Sequence, residues 1–181
     1  MNLQILILIG ILILAGIGIW FPVQAEKVNP EITLISVYDN YQVDTKLKTA
    51  WGFATIIKTP EELILFDTGG NSEILLSNME KLGIDPASIK KVVISHIHGD
   101  HLGGLKGFLD KNSNVTVFIP SSFPQSIKNM ITQKGAKFVE ISTPRKISDS
   151  IYTTGELYGP HCLRQLLLST ELSDEMLASL L

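Results

Sequence analysis

Three hydrophobic patterns follow one another along the chain. Ile5 to Phe21 is an unbroken run of apolar residues and glycine without a charge. After it, short alternating or fully apolar β-branched stretches predict strands: Glu31 to Tyr38, Trp51 to Lys58, Glu62 to Phe66, Lys91 to Ser95, Val115 to Ile119, Lys137 to Ile141 and Ile151 to Leu157. Between them the spacing becomes helical. Ile74, Leu75, Met79 and Leu82 share a face in a helix predicted over Ser72 to Leu82, with Asn71 as its cap. Leu102 to Leu109 reads as a second helix despite three glycines, and Ser121 to Lys134 as a third, with Pro124 in its first turn. In that third helix Ile127, Met130 and Ile131 form the expected core face, and Trp51 is expected to pack. A β-meander followed by βα units predicts an α/β layered sandwich with helices outside.

The leading run is 17 residues long, at the short edge of what spans a bilayer. Val23 and Ala25 fit the small-residue pattern of a cleavage site after Ala25, so residues 1–25 read as an export signal or, uncleaved, as a membrane anchor. The expected localisation is exported or membrane-anchored, with the working domain over 27–158. A net charge of −3 offers no electrostatic footprint for nucleic acid; the partner expected is a small-molecule substrate, with membrane contact only through the leader. The single cysteine, Cys162, excludes an internal disulfide framework.

Chemistry concentrates in Ser95-His96-Ile97-His98-Gly99-Asp100-His101, where three of the four histidines fall within six residues after an apolar strand. Imidazole nitrogen and carboxylate oxygen together suit zinc or a similar divalent ion. In an extended stretch His96 and His98 point the same way and can grip one ion. Asp100 and His101 follow a turn for which Gly99 is expected to supply flexibility, and can reach a second ion.

Two motifs, Leu65-Phe66-Asp67-Thr68-Gly69-Gly70 and Ile94 through Gly104, resemble the metallo-β-lactamase superfamily, over about residues 31 to 158. The resemblance implies an αββα sandwich and one or two zinc ions, with manganese or iron as alternatives. It implies that His96 and His98 bind one metal and that Asp100 and His101 bind a second. Asp100 would also orient the nucleophile as the catalytic carboxylate, and Asp67 would stand behind the ligands and fix their geometry. The implied activity is metal-dependent hydrolysis of an ester, amide, thioester or phosphodiester. Tyr38-Asp39-Asn40-Tyr41 and Tyr152 to Leu157 look most like the branch named for dihydropterin-ribofuranosylaminobenzene-phosphate synthases.

A complete site in that family takes further ligands from the second half of the fold. Here one more histidine remains, His161, beside Cys162. Residues 159–181 read as a divergent, leucine-rich, helix-favouring tail, so the chain is expected to be truncated to the N-terminal half of the sandwich, leaving an apolar sheet face free for self-association. A non-catalytic metal-binding fragment is therefore the rival reading. A remoter rival is an aspartic-protease-like dimer through Asp67-Thr68-Gly69. Gly69-Gly70 reads as a turn, with a helix-terminal anion site as its alternative.

Overall fold

The computed structural model describes residues 32–158 and the strand Arg164–Ser169. The predicted leader, His161, Cys162 and most of the tail lie outside the described residues. Within them no helix is long and apolar enough to cross a membrane.

Six strands form one sheet in sequence order: β1 (Thr33–Tyr38), β2 (Ala54–Lys58), β3 (Leu63–Phe66), β4 (Ile89–Val93), β5 (Thr116–Pro120) and β6 (Lys137–Ile141). The first three run antiparallel, with a long loop between β1 and β2 and a tight turn between β2 and β3, and β3 to β6 run parallel. Parallel neighbours need crossovers, and helices supply them. The crossovers are α1 (Ser72–Lys81), the pair α2 (Gly99–Leu102) and α3 (Leu105–Lys111), and α4 (Gln125–Gln133). A second sheet holds β7 (Arg145–Lys146), β8 (Tyr152–Tyr158) and β9 (Arg164–Ser169).

Consecutive strand residues face opposite sides, and both sides are buried. Ile56, Leu65, Val92, Ile94, Val117 and Ile119 pack with Leu75 and Met79 of α1, Leu105 and Phe108 of α3, and Ile131 of α4. Their neighbours Ile57, Ile64, Val93 and Phe118 pack on the other side with Ile141, Ile147 and Ile151. This explains why β2, β3 and β5 read as near-continuous apolar runs. Replacing the fully buried Phe108 by alanine would cost about 3–5 kcal/mol.

Asn71 caps α1 as expected, its Oδ1 accepting from the N–H groups of Glu73 and Ile74 at 2.8 and 3.1 Å. Several sequence expectations need correction. The helix predicted over Leu102 to Leu109 is divided: Leu102 closes α2 and α3 starts at Leu105, the Gly104 N–H between them donating to the Gly69 carbonyl at 3.0 Å and not back along the helix. Pro124 precedes α4 as its cap and is not within its first turn. Leu82 ends α1 at 37% exposure, outside the core, and Trp51 is 75% exposed and precedes β2. The tail stretch expected to favour helix contains β9, paired antiparallel with the β8 edge. Tertiary pairing overrides leucine's helical preference there.

Asn78 carries a structural task the apolar pattern hid. Buried on α1, its Nδ2 donates to the carbonyls of Val37 and Lys48, at 3.0 and 2.8 Å, and its Oδ1 accepts from Lys48 N–H at 2.8 Å. It ties the long 39–50 loop to the helix. That loop delivers Asn40, whose Oδ1 accepts from Gly52 N–H at 2.8 Å, next to the histidine motif.

Candidate metal centre

β3 and β4 are parallel neighbours, so both end on the same edge, and the next residues of each come together there. β3 runs into Asp67, whose N–H still donates to Val93 at 2.8 Å. Asp67 then takes a φ of 58°, a region that L residues other than Asn and Asp seldom enter. β4 runs into Ile94, which continues the ladder by donating to Phe118, and then into Ser95 and His96.

The buried Asp67 carboxylate gathers three donors. Its Oδ1 accepts from Ser95 N–H at 2.7 Å, and its Oδ2 from the Ser95 hydroxyl at 2.7 Å and from His101 Nδ1 at 2.7 Å. An ionised carboxylate only accepts, so the His101 proton lies on Nδ1. Nε2 is then the ring's other nitrogen, 3.6 Å from Asp100 Oδ2, too far for a hydrogen bond. Ser95 Oγ also lies 2.8 Å from His96 Nδ1.

The ring of His96 lies 4.1 Å from that of His101 and 4.9 Å from that of His98, centroid to centroid. The structure thus brings the three histidines together, with Asp100 beside His101 and Asp67 behind. His98 is exposed and caps α2, its carbonyl accepting from the N–H groups of His101 and Leu102. Burial, aided by the charge of a protonated His101, holds His96 below the ordinary imidazole value. The Asp67 hydrogen bond holds His101 above it, against a smaller opposing effect of burial.

The backbone of the motif is clamped on two sides. Thr68 donates both its N–H and its hydroxyl to the His101 carbonyl, each at 2.8 Å, and Phe53 N–H donates to the Asp100 carbonyl at 3.1 Å. Gly52, at φ 135°, passes so close that a Cβ there would lie 2.3 Å from the Asp100 carbonyl oxygen. The turn after His98 does not need a glycine's freedom. Gly99 has no positive φ and open space where a Cβ would stand, because it begins α2. Gly69 and Gly70 are a turn, as expected, and β3, α1 and the histidine motif surround Asp67 in a mixed α/β fold unlike the all-β frame of an aspartic protease.

Among the described residues no three or more histidine, cysteine, aspartate or glutamate side chains are already gathered as a ready metal shell. The donor types nevertheless suit a divalent ion: three neighbouring imidazoles, one carboxylate, and a buried carboxylate that fixes one ring. Sequence reasoning named His96, His98, Asp100, His101 and Asp67, which the structure places side by side. It missed Ser95, Thr68 and Gly52. Ser95 had one available signal, its position directly before the first histidine with a hydroxyl in an otherwise apolar strand end.

Residues 52–154 match the family described as the metallo-beta-lactamase superfamily. The chain is 30% identical over 112 residues to the 7,8-dihydropterin-6-methyl-4-(beta-D-ribofuranosyl)-aminobenzene-5'-phosphate synthase of Methanocaldococcus jannaschii, covering 52% of this chain and 38% of that protein. It is 34% identical over 92 residues to the ribonuclease Z of Nanoarchaeum equitans, covering 48% of this chain and 27% of that protein. The chain thus spans less than two fifths of these curated relatives. Among solved structures, an N-acyl homoserine lactone hydrolase with N-hexanoyl-L-homoserine at its catalytic metal center superimposes with a TM-score of 0.54 at 16% identity, covering 78% of this chain and 70% of that one. The matched region spans most of the large sheet, both motifs and the Asp67-centred network, and on that ground the chain belongs to the metallo-β-lactamase superfamily.

Proposed function

We propose that this chain binds one or two divalent cations, zinc foremost, through His96, His98, Asp100 and His101, and serves metal-dependent hydrolysis of a small-molecule ester, amide, thioester or phosphodiester. The observation that carries this reading is the buried Asp67 carboxylate holding His101 by Nδ1 at 2.7 Å, beside two further imidazoles. A carboxylate behind an imidazole in this way is the usual support of a metal ligand. Bound there, a divalent ion would supply water activation near neutral pH and polarisation of a carbonyl or phosphoryl oxygen. The chain's own part is to orient the rings. Burial favours the neutral form of His96, while Asp67 fixes the ring of His101. Asp100 is the carboxylate at the mouth of the cluster, partly exposed, and is assigned to orient the attacking water by accepting one of its protons.

The open ligand set among the described residues favours one second reading, metal binding without turnover. The two readings part in one experiment. The full chain is loaded with zinc, manganese or iron, its metal content measured, and hydrolysis followed on a lactone, a thioester and bis(p-nitrophenyl) phosphate before and after chelation. Chelator-sensitive turnover supports the hydrolase, and bound metal without turnover supports the second reading. Metal content at background, or unchanged after the three clustered histidines become alanine, refutes both. The leader is read as an export signal or an anchor, and N-terminal sequencing of the mature protein distinguishes the two.

A further inference from the structure

Ser95 stands between the buried carboxylate and the first histidine of the motif, and is itself only 6% exposed. Its Oγ lies 2.7 Å from Asp67 Oδ2 and 2.8 Å from His96 Nδ1. A serine hydroxyl has one proton to place in these two contacts. With that proton on the histidine side, Ser95 Oγ and Asp67 Oδ2 would face each other at 2.7 Å with lone pairs only. With it directed to Asp67, the carboxylate accepts, and His96 Nδ1 must carry the proton that completes the other contact. The second arrangement gives every contact one donor and one acceptor. Oδ2 then receives two donors, the Ser95 hydroxyl and His101 Nδ1–H.

We propose that Ser95 is a positioning residue that relays the acceptor character of Asp67 to His96, so that His96 and His101 hold the same Nδ1–H tautomer. One carboxylate then orients two rings, His101 directly and His96 through the hydroxyl. Both rings keep the Nε2 lone pair, the form in which an imidazole binds a metal. Deleting the hydroxyl leaves His96 Nδ1 without its buried partner, and the ring is free to move its proton to Nε2. The consequence for metal affinity rests on the proposed function; the tautomer assignment does not.

The test uses the full chain, metal-free and labelled with nitrogen-15 at histidine, at a pH of about 9, where ordinary imidazoles are neutral. Long-range proton–nitrogen correlation reads which ring nitrogen carries hydrogen. The expected wild-type result is Nδ1–H for both His96 and His101, with the exposed His98 as internal reference. In Ser95→Ala, His96 should shift toward Nε2–H while His101 keeps Nδ1–H. Ser95→Thr, which retains the hydroxyl, should restore the wild-type pattern. A merely structural serine would leave the tautomer of His96 unmoved. The zinc dissociation constant of Ser95→Ala should rise about 10–100-fold, with Ser95→Thr near wild type. A wild-type His96 protonated on Nε2, or an alanine variant whose His96 remains Nδ1–H, would overturn the proposal. The wild-type spectrum decides it even where the alanine variant fails to fold. Correct tautomers in a chain that retains no zinc uphold the Ser95 relay and refute the proposed function separately.

Discussion

His96 and His101 differ from His98 and Asp100 in what holds them, although all four lie in one six-residue motif. The first two are tied to buried groups: His101 to Asp67 and His96 to Ser95. The other two belong to the rim. His98 is exposed, and Asp100 is positioned by its backbone, through the bond from Phe53 and the approach of Gly52. Half of the proposed ligand set is oriented by the folded core, and half stands on a clamped turn that leaves its side chains freer. A site of this kind separates folding from binding. Changes to the buried half should disturb both, and changes to the rim should disturb binding alone.

The largest expected effect comes from Asp67→Ala. It strands three donors, Ser95 N–H, Ser95 O–H and His101 Nδ1–H, at about 1–3 kcal/mol for each that finds no partner. Urea unfolding should show a loss of about 3 kcal/mol or more, with metal affinity down about 10–100-fold. A loss below about 1 kcal/mol would erase the distinction between the two halves. Gly52→Ala comes next. The added carbon meets the Asp100 carbonyl at a φ that favours glycine, so a destabilisation of about 1–3 kcal/mol is expected, together with weaker metal binding. Thermal unfolding and metal titration of the same sample check both parts.

His98→Ala sharpens the contrast from the other side. An exposed ring should cost no more than about 0.5 kcal/mol in stability. Its metal content after dialysis should nevertheless drop, and unaltered metal content would remove His98 from the ligand set. The smallest effect is in pH dependence of the metal-free protein. His101 is held above its ordinary value of 6.5, so its bond to Asp67 adds stability that is fully present below that value and is lost as pH rises through the raised one. His96, held below the ordinary value, acts with opposite sign: its contribution is present above 6.5 and is lost as pH falls through the lowered one. Asp67→Asn should abolish the alkaline-side loss from His101, and denaturant midpoints across neutral pH, compared with wild type, read it out.

Much of the fold was legible because burial leaves a period in the sequence. The strands β2 to β5 were read to within three residues of their ends, α1 to within one, and β6 to the residue. Elements escaped where the deciding contact is remote. Arg145–Lys146 is too short and polar to carry a period, and Arg164–Ser169 is a strand because β8 offers it an edge. The exposure of Trp51 was equally hidden, since its residue type argues for packing and only its neighbours place it outside.

On its own, the sequence determined the family and a candidate donor set: three imidazoles and a carboxylate at close spacing, with an aspartate at the end of a strand, are a local pattern that survives without coordinates. The tertiary structure decided how those donors are governed. Parallel pairing of β3 with β4 carries Asp67 beneath Ser95 and His101, 28 and 34 residues away along the chain. Hydrogen bonds between residues so far apart depend on register and on a backbone turn at Asp67, and neither leaves a periodic trace in the order of amino acids.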